Sequence, residues 1–416
     1  MFVKNLIIGA GISGLFFAHS AKEDFLILEK EPEVGGYCRT VRKKDYIWDY
    51  AGHFYHFKTD YFKNLFRECM PESETVSKTK CTKIFYKHKL IDYPFQTNIH
   101  QLEKDEFIDC LYDLFFKTEK EDYASFLDML YGKFGKAITE KFLRPYNEKL
   151  YAVDLTTLDR DAMGRFFPYA DLTQIIRNMK TEENSSYNNT FLYPKNGAIA
   201  FVEKVYRMLD EKRVLLNTEV TALDREAKTV TTADGTVYEY ENLINTMPLN
   251  RFFELTGDRA LADSLSYNKV LVFNLGFDKK SKAFTEEHWL YFPEKEYNFY
   301  RVGFYDNILD ADKLSMYIEI GFSKNAQIDI DAELKAALEG LKLAGITDES
   351  MTLCEYAPIV MDPAYVHINS ETDKAVRAWE ASAAADGIYT IGRYGAWTYC
   401  SMEDCMIEAK ELSESL

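Results

Sequence analysis

Phe2-Val3-Lys4-Asn5-Leu6-Ile7-Ile8-Gly9-Ala10-Gly11-Ile12-Ser13-Gly14-Leu15-Phe16-Phe17-Ala18 decides how this chain folds. An apolar strand runs into three glycines at Gly-x-Gly-x-x-Gly spacing, and a helix opens at once behind them. Phe25-Leu26-Ile27-Leu28 then reads as a second buried strand, with Glu29 at its end. A dinucleotide needs this layout. Gly9 makes the tight turn, Gly11 lets the backbone approach the pyrophosphate, and Gly14 lets helix and strand pack closely. Ser13 and the unpaired N–H groups of the helix N-terminus face the phosphates, and Glu29 can accept both ribose hydroxyls of the adenosine half. Lys4, the apolar run to Ala18 and Ala18-His19-Ser20-Ala21 imitate a secretory leader. A leader does not carry three glycines at this spacing followed by a strand ending in an acid, so the stretch is expected to be part of the fold.

The rest of the chain limits the function classes. Its 416 residues allow two or three domains and a large core. A formal charge of −17 argues against a nucleic-acid partner but leaves room for a local cationic pocket. No uncharged apolar run is long enough for a membrane span, so no insertion is expected. Seven cysteines without a Cys-x-x-Cys pair fit reduced thiols in a cytoplasm. The seven histidines show no ligand spacing, so no metal is expected. A homo-oligomer is left open.

After Glu29 the chain continues Lys30-Glu31-Pro32-Glu33-Val34-Gly35-Gly36-Tyr37-Cys38-Arg39-Thr40. A second Gly-Gly followed by Arg39 and Thr40 extends the binding loop beyond the needs of a nicotinamide nucleotide. It suits the longer, more deeply buried FAD, with Lys30, Gly36, Tyr37 and, later, Val220 as further contacts. Together these segments resemble the flavoenzymes that include amine oxidases, phytoene desaturases, protoporphyrinogen oxidases and UDP-galactopyranose mutases.

Four later segments resemble the mutases in particular. Gly52-His53-Phe54-Tyr55-His56 is similar to their Gly-Pro-His-x-Phe-His run, with Gly52 at the proline position, and implies that His53 lies beside the flavin. Tyr93-Pro94-Phe95-Gln96-Thr97-Asn98 is similar to Tyr-Pro-Phe-x-x-Asn. Pro145-Tyr146-Asn147-Glu148-Lys149-Leu150-Tyr151 is similar to a run bordering the substrate, with Tyr151 where the family has Trp. Gly392-Arg393-Tyr394-Gly395-Ala396-Trp397-Thr398-Tyr399 resembles Gly-Arg-Leu-x-Thr-Tyr-x-Tyr. The resemblance implies that Gly392 and Arg393 serve the flavin, and that Tyr399 and Arg301 hold a substrate diphosphate. Arg301 read by itself is also compatible with a sheet residue paired to a carboxylate. A mobile flap near residues 181–190 is implied too, with Arg165 or Arg177 as its arginine. There are departures: Asn245-Thr246-Met247-Pro248 replaces the mutases' Thr-Gly-Pro-Ile-Asp, as in oxidase-like relatives, and Ser401 replaces an aspartate.

The expected fold is α/β: a Rossmann-like FAD-binding domain built from 1–59, 191–254 and 385–416, a mainly helical insertion over 60–190, and an antiparallel-sheet substrate domain over 255–384. Period-two patterns such as Trp289-Leu290-Tyr291-Phe292 and Met316-Tyr317-Ile318-Glu319-Ile320 carry the last assignment. Pro145 is expected to end a helix. The mutase resemblance implies a redox-neutral reaction in which the reduced flavin's N5 bonds the anomeric carbon, the nucleoside diphosphate leaves and the sugar recloses in the other ring form, for cell-surface polysaccharide. His53 and Arg301 are then the catalytic residues, on a nucleotide-linked sugar. An FAD-dependent oxidase or desaturase acting on an amine or a lipid-like molecule is the competing expectation, and a flavin-free scaffold protein is a third.

Overall fold

A computed structural model describes residues 1–21, 24–164, 167–180 and 190–416. At its centre the strands Phe2–Ile8 and Phe25–Leu28 run parallel, with Val237–Asn245 on the other side of the first and Val214–Leu215 beyond the second. Ile388–Thr390 joins Val237–Asn245 in parallel, while Val220–Asp224 and Thr229–Thr232 extend the sheet antiparallel around the turn at Asp234-Gly235. The parallel strands are covered on both faces, so they read as unbroken apolar runs such as Leu6-Ile7-Ile8. The helix Ile12–Ala21 packs against the last helix, Met402–Ser415, so the first and last parts of the chain share one layer.

The second sheet has seven strands in the order Leu353–Met361, Asn268–Phe277, Ser315–Ser323, Arg301–Phe304, Trp289–Tyr291, Thr82–Tyr86 and Lys89–Asp92. Its alternation divides two faces. Leu290, Val302, Phe304, Met316, Ile318 and Ile320 form an apolar core under the helix Ile330–Leu343. Their neighbours Trp289, Tyr291, Arg301, Tyr317 and Glu319 point the other way, into a cavity.

The helical insertion is narrower than 60–190. The helices Asp60–Cys69, Lys104–Phe116, Phe126–Ile138 and Arg144–Tyr151 form, but Thr75–Thr79, Thr82–Tyr86 and Lys89–Asp92 are strands. The first pairs with Thr190–Pro194 and the second with Trp289–Tyr291, partners roughly a hundred and two hundred residues away along the chain. Pro145 does not end a helix either. A π-helical turn over Thr139–Leu143 leads into Arg144–Tyr151, where Pro145 occupies the first turn. A missing N–H costs least there. No helix among the described residues is long and apolar enough to cross a membrane.

One buried carboxyl joins these parts. Asp49 is fully buried at the end of the strand Tyr46–Asp49. Its Oδ1 accepts from Thr40 Oγ1 at 2.6 Å and Ala198 N at 2.9 Å, and its Oδ2 from Tyr193 Oη at 2.9 Å. Its backbone N–H donates to Tyr305 Oη, and its carbonyl accepts from Asn274 Nδ2 in the second sheet. Burial outweighs these bonds and raises its pKa to about 7. The folded protein therefore holds a proton that the unfolded chain releases above about pH 4. Stability from this group is present in acid and is lost as pH rises through about 7. Asp49→Asn, which keeps an acceptor for Thr40 and Ala198, is expected to flatten the fall in melting temperature between pH 4.5 and 7.5. A wild-type slope retained in the variant excludes Asp49 as its source.

Candidate active site

A single cavity of about 1520 Å³ runs from the first glycine turn to the second sheet. It exceeds the ~300–1,000 Å³ of an ordinary ligand pocket, giving room for a cofactor and a substrate together. At one end Glu29 is fixed by accepting from Ala10 N at 2.7 Å and Glu31 N at 2.9 Å, and Thr218, Glu219 and Val220 face it. Gly9, Gly11 and Ser13 line the next stretch. Gly14 does not line the cavity. A Cβ on it would stand 2.1 Å from the Gly9 carbonyl oxygen, so its role is the close helix–strand contact. Gly11 differs, because a Cβ there meets nothing within 4 Å and would point into open space.

The second glycine loop docks on the first. Gly35 N donates to Ala10 O at 2.8 Å, and Gly35 and Gly36 take positive φ. Arg39 braces this loop through Nε to Gly36 O, ion pairs with Glu31 and Glu33, and stacking over Tyr50. Lys30 sits at the rim, exposed and beside Glu31. Tyr37 lines the wall; its hydroxyl accepts from Asp362 N, and burial pushes its pKa to about 12.

Deeper in, His53 and Arg393 meet. Burial, then the charges of Arg393 and Arg301, lower the His53 pKa to about 4, so the imidazole is neutral at neutral pH. Its buried Nδ1 has no hydrogen-bond partner among the described residues. Arg393 lies 4.5 Å over the Tyr399 ring and 5.4 Å over that of Tyr365, and gives Nη1 to Cys400 O. Its Nε is buried without a partner, and no carboxylate lies within ion-pair distance among the described residues. Cys400 and Cys405 face the same wall with their sulfurs 3.5 Å apart.

Arg301 stands on the far wall, where it is the sheet residue paired to a carboxylate. It lines the cavity, and it is paired with Glu319 on the neighbouring strand, Nε to Oε2 at 3.0 Å and Nη2 to Oε1 at 2.6 Å. Tyr300 Oη donates to the same carboxylate at 2.6 Å. Tyr317 fills the slot between two glycines: a Cβ on Gly52 would be 2.3 Å from its hydroxyl oxygen and one on Gly303 2.0 Å from its ring. Gly52 therefore shapes this wall as well as lining it.

Three expected contacts lie off the cavity. Thr40 faces inward to Asp49. Tyr151 is fully buried against Phe126, Tyr365 and His367; Tyr146 and Leu150 on the same helix line the cavity instead. Gly392 gives its N–H to Glu408 Oε2 at 2.7 Å, and a Cβ on it would meet Ser13 Oγ at 2.2 Å, so it is a packing contact. Arg165 and residues 181–189, most of the expected flap, lie outside the described residues; Arg177 lines the cavity from the helix Leu172–Asn178. Sequence reasoning missed Glu319, Tyr93, Tyr291 and Lys80 as lining residues. The alternation that places Tyr291 and Glu319 on one face with Tyr317 was the available signal for two of them.

The family model described as flavin containing amine oxidoreductase matches residues 15–318. The chain belongs to that family. Its cofactor is FAD, and the residues present fit it: the open Gly11 turn, the fixed Glu29 carboxylate, and the unpartnered His53 Nδ1 and Arg393 Nε in one continuous wall. Solved structures share its fold. A reduced UDP-galactopyranose mutase superposes with a TM-score of 0.93 at 23% identity, covering 100% of this chain and 93% of that one. A protein from Exiguobacterium sp. 255-15 named as a protoporphyrinogen oxidase gives 0.76 at 19% identity, with 99% and 98% covered. A putrescine oxidase bound to putrescine gives 0.68 at 10% identity, with 100% and 99% covered.

The two glycines predict opposite behaviour. Gly11→Ala is expected to leave the melting temperature of FAD-stripped protein unchanged while weakening FAD binding at least about tenfold, read by flavin fluorescence titration. Gly14→Ala is expected to prevent folding or lower the melting temperature sharply. Equal effects of the two on the stripped protein contradict this assignment.

Proposed function

We propose that this flavoenzyme acts on a nucleotide-linked sugar and interconverts its pyranose and furanose ring forms without net oxidation, in the cytoplasm, for cell-surface polysaccharide. One observation carries the reading: the cavity pairs buried cations with a crowd of tyrosines. Arg393 and Lys80 have no carboxylate partner among the described residues, and Arg301 is held at the chamber wall. Such a chamber repels an ammonium substrate and offers little to a hydrocarbon. It suits an anionic diphosphate joined to a polyhydroxylated ring, because guanidinium binds phosphate oxygens in a fork and tyrosines give both stacking faces and hydroxyls.

When bound in its reduced form, the flavin supplies the electron-rich centre that such ring chemistry needs. The chain's own residues do the rest. Glu319 occupies Nε and Nη2 of Arg301 and so fixes the plane of the guanidinium, leaving the Nη1 side for a phosphate oxygen. Arg301 and Tyr399 hold the diphosphate and offset the charge that grows on it as the bond to the sugar breaks. His53 stays neutral against the cofactor side and so neither donates nor takes a proton as imidazolium. Tyr93, Tyr146 and Tyr291 close the wall with ring contacts of 5.1 Å and keep water out.

Two experiments test this. Dithionite-reduced, FAD-loaded protein is incubated with UDP-galactose and other nucleotide sugars, and the product's ring size is read by NMR while oxygen and acceptor consumption are followed. Ring interconversion with no stoichiometric oxidation is expected; steady oxygen uptake with an amine establishes the oxidase instead. The second concerns Arg301. Arg301→Ala strands the buried Glu319 carboxylate and is expected to cost about 3–5 kcal/mol of stability. Adding Glu319→Gln restores folding but not UDP binding. Recovery of UDP affinity in that double variant removes Arg301 from the diphosphate site.

A further inference from the structure

Lys80 stands between the strands Thr75–Thr79 and Thr82–Tyr86 and lines the cavity. Its ammonium lies 5.1 Å from the centre of the Tyr93 ring and 5.6 Å from that of Trp289. It makes no hydrogen bond or ion pair to a described residue, and burial alone, with no carboxylate to offset it, lowers its pKa to about 8. Three acids on the cavity wall are occupied elsewhere. Glu319 serves Arg301 and Tyr300, Glu29 serves the backbone of Ala10 and Glu31, and Glu403 serves Lys58 N and Thr59. Two aromatic faces hold a cation that no anion among the described residues answers.

Its neighbours locate it within the chamber. Trp289 stacks on Phe54 at 5.3 Å, and Phe54 follows His53 in sequence. On the other side Tyr93 meets Tyr291 at 5.1 Å, and Tyr291 is the cross-strand partner of Arg301. Lys80 thus sits at the His53 end, a pair of tyrosines away from the guanidinium assigned to the diphosphate. A ligand spanning from Arg301 toward His53 brings its sugar, not its phosphates, to this corner.

We propose that Lys80 receives a carboxylate carried by the substrate's sugar, so that the chamber selects a nucleotide-linked uronic acid over the neutral sugar. The inference rests on the nucleotide-sugar reading above and adds an acidic group to it. A lone ammonium is a point charge that matches one monovalent anion, whereas a phosphate or sulfate monoester is usually met by several donors or a guanidinium fork. In a water-poor aromatic corner the pair gains more than it does at a surface, and the protein is relieved of an unpaired buried charge.

Isothermal titration of FAD-loaded protein with UDP, UDP-galactose, UDP-galacturonate and UDP-galactose 6-phosphate tests it, in wild type, Lys80→Met and Lys80→Arg. Wild type is expected to bind UDP-galacturonate at least about tenfold more tightly than UDP-galactose, the size of one charge-assisted hydrogen bond. Lys80→Met collapses that preference to within about twofold, and Lys80→Arg keeps most of it. The wild-type comparison stands even where a variant does not fold, and equal affinities there overturn the proposal. An equal loss for all four ligands in Lys80→Met puts Lys80 on the diphosphate and overturns it too. Tighter binding of the 6-phosphate than of the uronate replaces the carboxylate by a phosphate. If wild type binds none of the four, the nucleotide-sugar reading itself fails and this inference falls with it; binding of UDP without the uronate preference sinks only the latter.

Discussion

Asp49 is the joint on which the molecule hangs. Its carboxyl ties the hairpin Thr40–Asp49 to Tyr193 and to the start of the helix Ile199–Tyr206, and its backbone reaches Tyr305 and Asn274 in the second sheet. Residues distant in sequence meet at one fully buried acid. A buried carboxyl with three donors around it has little freedom to accept another geometry, because any displacement leaves polar atoms without partners. The chain segment after Asp49 leads directly to Gly52 and His53, so the position of the cavity wall follows from this joint. Burial raises the carboxyl's pKa to about 7, which lessens the cost of placing a charge in the core.

From that joint the second sheet takes its two-faced character. One face is closed by the helix Ile330–Leu343 over an apolar core. The other carries Arg301, Glu319 and the tyrosines. A buried ion pair adds little net stability compared with apolar residues of the same size, yet it fixes the direction of a guanidinium. Tyr300 adds a third bond to the shared carboxylate. The pair is therefore better understood as a way of aiming Arg301 than as a source of stability.

How much of this was legible in the sequence depended on whether the deciding contact was local. Gly9, Gly11, Gly14 and Glu29 could be read because the turn, the close approach and the acid all follow from short-range backbone geometry. Tyr151 could not. It stands five residues after Tyr146, ~140° around the helix, so one faces the cavity and the other the core. The alignment of a motif does not report that rotation. Gly392 and Thr40 were misplaced for a similar reason: each sits in a motif that borders the cofactor, but Glu408 and Asp49 claim their polar groups. The strands Thr75–Thr79 and Thr82–Tyr86 were placed within a mainly helical region because their partners, Thr190–Pro194 and Trp289–Tyr291, lie far away in the chain. Their β-branched Thr75, Val76, Thr79 and Thr82 were a weak local hint. Glu319 was visible as an alternating position but not as the partner of Arg301, since cross-strand register is not written in either strand alone.

The charge distribution carries the remaining step. A chain of net charge −17 keeps Arg393 and Lys80 inside, away from every ion-pair partner among the described residues. Leaving two cations desolvated costs stability in the unliganded protein, and surface carboxylates were plentiful enough to neutralise them. Their isolation among the described residues fits the proposed anionic ligand, whose charge would arrive from outside. Tyrosine and tryptophan faces hold each cation in place meanwhile, at 4.5 Å for Arg393 and 5.1 Å for Lys80, without supplying a negative charge that a ligand would have to displace. Binding of an anion at either cation then stabilises the fold by mass action as well as filling the site.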